Sequence, residues 1–81
     1  MQASTVLKRI SEIITPYIGA MMARSSIEMH CRKLGIVDGV IDRHQFDQLL
    51  RQLSLGLNIF IGRDKTEAVI QEIRGGLGIS R

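Results

Sequence analysis

The stretch that decides the fold is IDRHQFDQLLRQLSLGLNIFIG, residues 41–62. Its apolar residues recur every three or four positions, which is the spacing of an α-helix with one buried side. Asp42 and Gln45 form an Asx-type variant of the capping box that starts such a helix, and Gly62 ends it. The sequence therefore predicts a helix over about residues 43–60. Its core stripe is Phe46, Leu49, Leu50, Leu53, Leu57, Phe60 and Ile61.

Helical spacing continues on both sides of this segment. Ser4 is the candidate N-cap of a first helix, which should end near Thr15 because the residue before a proline is pushed out of the helical region. Thr15 and Pro16 then suit the start of a second helix, which Gly35 ends. The sequence thus predicts one compact, all-α, four-helix domain over residues 1–81, with helices at about 5–14, 16–34, 43–60 and 64–74. We expect residues 75–81 to be frayed, and we find no internal repeat.

The segment VDGVIDRHQF, residues 37–46, also invites comparison with a calcium-binding loop. Aligning the central glycine of such a loop on Gly39 places Asp42 in a matching position. However, the first and third ligand positions fall on Leu34 and Ile36, and the bidentate glutamate falls on Gln45. Calcium needs six to eight oxygen ligands, so this loop predicts a tight turn and a helix cap, and no metal site.

Composition limits the environment and the means of stabilisation. Among the 81 residues there is one cysteine, Cys31, so no disulfide can form within the chain, and with no secretory signal we expect a cytoplasmic protein. The longest apolar stretch, residues 53–62, is about half of a membrane span, so we expect no membrane insertion. A domain this small has a marginal core, which favours stabilisation by a partner.

The predicted second helix is apolar on two opposed sides. One side carries Ile18, Met21, Met22, Ser25 and Met29, and the other carries Ala20, Ala23, Ile27, Cys31 and Leu34. Either the other helices cover both sides, or one side meets a second chain. Two further apolar residues project from the back of the third helix, which favours the second alternative. The sequence therefore predicts a homodimer, with an interface formed by Met21, Met22, Ala23, Ile27, Met29, Leu55 and Ile59.

The reactive groups do not form a catalytic or metal-binding pattern. His30 and Cys31 are adjacent, so on a helix their side chains point about 100° apart. One cysteine and two histidines do not have the spacing of a zinc site, and no glycine-rich phosphate loop follows a strand. We therefore predict no catalytic residue, no metal and no cofactor.

Two functions fit these features. The first is a small intracellular module, without enzymatic activity, that binds another protein or regulates it, and that is itself homodimeric. The alternative is a helical nucleic-acid-binding domain, suggested by the net charge of +3. Its contacts would come from the basic residues of the first two helices, Lys8, Arg9, Arg24, Arg32 and Lys33.

Overall fold

The architecture follows from four amphipathic helices that bury their apolar sides against one another. The computed structural model describes residues 2–36 and 39–76. Within these ranges the helices are α1 (Ala3–Ile18), α2 (Ala20–Leu34), α3 (Arg43–Ile61) and α4 (Arg63–Gly76). Each helix packs on its sequence neighbour, and α1 also packs on α4, so the four surround a common core. The predicted all-α, four-helix fold is confirmed.

The start of α3 agrees with its sequence signal. The Gln45 backbone N–H donates to Asp42 Oδ1 at 2.7 Å, and the Asp42 N–H donates to Gln45 Oε1 at 3.1 Å, which completes the capping box. The predicted core stripe is buried at Phe46, Leu49, Leu50, Leu53 and Leu57. Phe60 differs from these residues, since it is 60% exposed and lines a small gap between α2 and α3 that is described below.

The predicted break before Pro16 is wrong. Helix α1 continues through Pro16 to Ile18, and α2 begins only at Ala20. Proline removes one backbone hydrogen bond and crowds the carbonyl four residues earlier, but here it lies in the last turn, where little of the helix is affected. Continuing the helix also keeps Ile18 packed on the core, one turn beyond buried Ile14. Thr15 is therefore not a cap, and its hydroxyl donates to the Ser11 carbonyl at 2.5 Å.

A single glycine joins the helices of each pair. Gly19 links α1 to α2 with φ 87° and ψ 157°, and Gly62 links α3 to α4 with φ 84° and ψ 164°. Only glycine adopts this region readily, because a Cβ would clash with the backbone. Each glycine N–H donates to the carbonyl four residues earlier, and each glycine carbonyl accepts from the N–H four residues later. A single glycine thus takes part in the last backbone hydrogen bond of the first helix and in the first one of the second.

The remaining boundaries depend on contacts between segments. Ser4 is not the N-cap of α1, because that helix begins at Ala3, whose N–H donates to the Gly39 carbonyl at 2.7 Å. An isolated bridge between Gln2 and Val40 lies beside this bond. Gly35 ends α2 in the left-handed region, as predicted. Residues 75 and 76 extend α4 beyond its predicted end, whereas 77–81, the rest of the predicted frayed tail, lie outside the described residues.

The two helix pairs correspond once they are aligned on their joining glycines. Buried positions then coincide along both pairs: Val6 with Leu49, Ile10 with Leu53, Ile14 with Leu57 and Ala23 with Thr66. The sequence shows no repeat because the side chains differ at these positions and only the pattern of burial recurs. Under this correspondence the α2–α3 contact matches the α1–α4 contact, and the two can be compared directly.

A candidate protein-binding face on α2 and α3

Most of the exposed large apolar side chains lie on two neighbouring helices. Their exposed fractions are 84% for Met21, 41% for Met22, 45% for Met29, 58% for Leu55, 85% for Ile59 and 60% for Phe60. We define the α2–α3 face as the surface formed by Met22, Ser26, Met29 and Lys33 of α2 and Gln52, Gly56, Ile59 and Phe60 of α3, with Met21 and Leu55 at its edges. Spacings of three and four residues place each set along one side of its helix.

The structure separates the two apolar sides of α2. Ala23 and Ile27 are 0% and 7% exposed and belong to the core, together with Cys31. They are covered by this chain, so they are not part of the α2–α3 face, and a charge at Ile27 would disrupt the fold before it affected any association. The methionine side of α2 faces outward. The sequence could not distinguish the two sides, because both are apolar.

A small gap lies within the α2–α3 face. Its volume is about 30 Å³, and it is lined by Ile18, Ser26, His30, Leu53, Gly56, Leu57 and Phe60. This is room for about two water-sized groups. His30 is only 8% exposed, and its Nδ1 is buried without a hydrogen-bond partner among the described residues. Burial lowers the pKa of His30, and the nearby charge of Lys33 lowers it further, so the imidazole is neutral near pH 7.

The corresponding α1–α4 contact explains why the gap exists. Aligned on the joining glycines, Ser26 corresponds to Val69, His30 to Ile73 and Gly56 to Ile13. All three of these counterparts are buried apolar side chains. A hydroxymethyl group, an imidazole and a hydrogen atom therefore occupy positions that branched aliphatic side chains fill on the other side of the molecule. The gap is a specific feature of α2 and α3, since the fold itself allows the equivalent space to be filled.

The exposed positions differ in the same way. Met21 corresponds to Asp64, Met22 to Lys65, Met29 to Glu72 and Leu55 to Glu12. These four charged counterparts are all exposed. Because the fold places charged residues at equivalent positions of α1 and α4, it does not require apolar residues on α2 and α3.

The groove between α3 and α4 is polar and carries both signs of charge. It contains two open depressions of about 560 and 500 Å³, which share Ser54 and Ile70. Arg74 Nη2 donates to Asp47 Oδ1 at 3.1 Å, and the guanidinium lies 5.6 Å from the centre of the Phe46 ring. Arg74 thus holds α4 against the start of α3, and we assign it a structural role.

Chemically reactive groups are not brought together in the part of the chain that the structure describes. Cys31 is buried, and burial raises the pKa of its thiol, which disfavours the reactive thiolate. Across residues 2–36 and 39–76, no three His, Cys, Asp or Glu side chains are close enough to hold a metal ion. None of the described helices is both long and apolar enough to cross a bilayer.

The predicted nucleic-acid contacts are exposed but dispersed. Arg9 forms a 3.7 Å ion pair with Glu12 of its own helix. Arg24 shares a side of α2 with Ile27 and Cys31, whereas Lys33 belongs to the α2–α3 face. The other two residues of the set, Lys8 and Arg32, are likewise exposed, on α1 and α2. The set therefore does not form a continuous basic surface of the kind that follows a phosphate backbone.

Comparisons with known proteins add no family assignment. No protein-family model matches the chain, and no curated protein or solved structure matches it significantly.

Proposed function

We propose that this protein is a small helical interaction module that binds another protein chain through the α2–α3 face and carries out no reaction of its own. The observation that carries this proposal is the contrast with α1 and α4. Positions that are charged on those helices are occupied by Met21, Met22, Met29 and Leu55 on α2 and α3. Contiguous exposed apolar surface on a small protein commonly marks an interaction site.

Covering this surface with a partner removes its apolar side chains from water, which stabilises the complex. Complete burial of one exposed Met, Leu, Ile or Phe side chain contributes roughly 1.5–3 kcal/mol. Several such side chains on one face can together offset the loss of translational and rotational freedom on association. Methionine suits such a surface, because its unbranched side chain adapts to the shape of a partner.

A homodimer is the simplest form of this association, and it is the form that the sequence predicts. Its test is the mass in solution, measured by size-exclusion chromatography with light scattering over a wide range of concentrations. If the partner is a second copy, the wild-type mass should rise with concentration, and Leu55→Asp and Ile59→Asp should remain monomeric while keeping their helical content. Both positions are more than half exposed, so these substitutions bury no charge in the monomer.

Ala68→Asp is the matched control, because it adds the same charge to an exposed position of α4. It should associate as the wild type does. If the wild type dimerises and both face variants dimerise equally well, the face is wrongly assigned. A wild type that stays monomeric at every concentration would rule out the second copy and leave a different chain as the partner.

A further inference from the structure

The charge on the α2–α3 face indicates what kind of partner it fits, provided that the proposed function holds. Lys33 lies on the face, in the last turn of α2. The residues that define the face include no carboxylate. Asp47 of α3 is directed to the α4 side, where it binds Arg74, and Glu28 shares its side of α2 with Arg24. The face is therefore apolar over most of its length and cationic at one end.

The shape of the face suits a helix. Ser26 and His30 line the gap from α2, and Leu53, Gly56, Leu57 and Phe60 line it from α3, so the gap lies between these two helices. Ser26 and Gly56 form the low centre of the face, and the larger Met22, Met29, Ile59 and Phe60 stand around it. The gap lies between the two helices, and we call the gap and the side chains around it the groove, on which an amphipathic helix can lay its apolar side. Helix α2 has 15 residues, so it is about 22 Å long.

We propose that the groove binds an amphipathic helix of a different protein, which covers the gap between Ser26 and Gly56 with one apolar side chain and places a carboxylate against Lys33. The end of that apolar side chain enters the gap and excludes water from it. The carboxylate fixes the direction in which the partner helix lies, because Lys33 is at one end of the face.

A second copy of this chain fits the groove less well than an acidic helix. Its matching face is also cationic at one end and offers no carboxylate to Lys33, so dimerisation through this face would leave that charge without a counter-charge. An acidic amphipathic helix provides both the apolar side chains and the opposite charge. Electrostatic complementarity of this kind favours one partner over another more than it adds affinity.

Three synthetic peptides of about 15 residues, which match the length of α2, can test this assignment. The first has leucines at helical spacing and glutamates on the other side. The second replaces the glutamates with lysines, and the third has the composition of the first in scrambled order. Each is titrated to millimolar concentration into the full-length ¹⁵N-labelled protein at moderate salt, and amide shifts are followed by NMR.

We expect the acidic peptide to shift the amides of Ser26, Lys33 and Gly56 in a saturable way. Its affinity should exceed that of the basic peptide by at least about fivefold, a difference that one or two partly exposed charge pairs can supply. Lys33→Glu should remove most of this preference. Lys65→Glu, which makes the same change at an exposed position of α4, should leave it intact.

The other outcomes overturn the inference in different ways. Equal binding of the acidic and basic peptides on the face would refute the assigned charge of the partner while supporting the apolar face of the proposed function. Equal binding of the scrambled and the ordered acidic peptides would mean that general charge attraction, and not a helix with one apolar side, accounts for the binding. If no peptide shifts the face and light scattering shows a dimer, the second copy is the occupant. If no peptide binds and the protein stays monomeric, the proposed function fails as well.

Discussion

The pair α1–α2 and the pair α3–α4 have the same internal construction and different outer surfaces. Both turn on a glycine with nearly the same backbone angles, and both bury apolar residues at the same distances from it. Four outward positions of α1 and α4 carry charged residues, whereas the corresponding positions of α3 and α2 carry Leu55, Met21, Met22 and Met29. The glycine and the spacing of the core residues therefore specify the fold, and the outward positions of α2 and α3 are free to serve binding.

The largest difference between the pairs inside the core is at Phe46, whose counterpart in α1 is Ala3. Phe46 is fully buried, and its ring lies under the Arg74 guanidinium. Phe46→Ala should lower the free energy of unfolding by about 3–5 kcal/mol, because it leaves a cavity and removes the surface on which Arg74 rests. Urea unfolding followed by circular dichroism measures this loss.

Met21→Ala is the control for Phe46→Ala. Met21 is 84% exposed, so its truncation should change the stability by no more than about 0.5 kcal/mol. If Phe46→Ala lowers the free energy of unfolding by less than about 1 kcal/mol, α3 tolerates a small residue at this position, as α1 does at Ala3. The two helix pairs would then have similar packing requirements at this core position.

The joining glycines test the similarity of the two pairs. Gly19→Ala and Gly62→Ala should each cost about 1–3 kcal/mol, because alanine is strained at these backbone angles. Contacts with the rest of the molecule are not the cause, since a Cβ at either position would meet no atom within 4 Å beyond the adjacent residues. Gly56→Ala is the control: it lies inside α3, is equally unhindered, and should stabilise the helix by up to about 1 kcal/mol. Clearly unequal losses at Gly19 and Gly62 would show that the two joints are not equivalent.

Local signals in the sequence predict those parts of the structure that depend on neighbouring residues. Asp42 with Gln45, Gly35 and Gly62 each act within one helical turn, and all three are observed where predicted. The break at Pro16 is wrong because a local penalty is outweighed by the packing of Ile18 on residues distant in the chain. Phe60 has the spacing of a core residue, yet its exposure depends on the gap opposite it, which no local pattern reveals.

The sequence predicts the candidate face only in part, because local patterns do not show which side of a helix the rest of the chain covers. Met21, Met22, Met29, Leu55 and Ile59 are predicted from the sequence and lie on the surface or edges of the α2–α3 face. Ala23 and Ile27 are buried instead, because α2 has two apolar sides and the chain covers one of them. Which side is covered depends on the path of the chain at Gly19, and the sequence alone places that turn at Pro16. An error of three residues at the joint rotates the helix relative to its neighbours and leaves the outward side undetermined.

The smallest effect that we predict concerns His30, which replaces the buried Ile73 of the other pair. Burial, and then the charge of Lys33, lower the pKa of His30 in the folded protein below its ordinary value of 6.5. The unfolded chain therefore binds a proton more readily, and stability should fall as the pH drops below about 6.5 toward the folded-state pKa. His30→Ile should flatten this pH dependence, measured as urea midpoints at about pH 7.5 and 5.5.

His44→Gln is the control for His30→Ile, because it removes the exposed imidazole near the start of α3 and should retain the wild-type change between the two pH values. If His30→Ile and the wild type lose equal stability on acidification, another group carries the pH dependence.

The urea midpoint of His30→Ile near neutral pH also tests how the buried imidazole beside the gap affects stability. An isoleucine there makes the α2–α3 contact resemble the α1–α4 contact, so a gain in stability would mean that the buried imidazole is unfavourable for folding. Its presence beneath the α2–α3 face would then have to be explained by what the face binds.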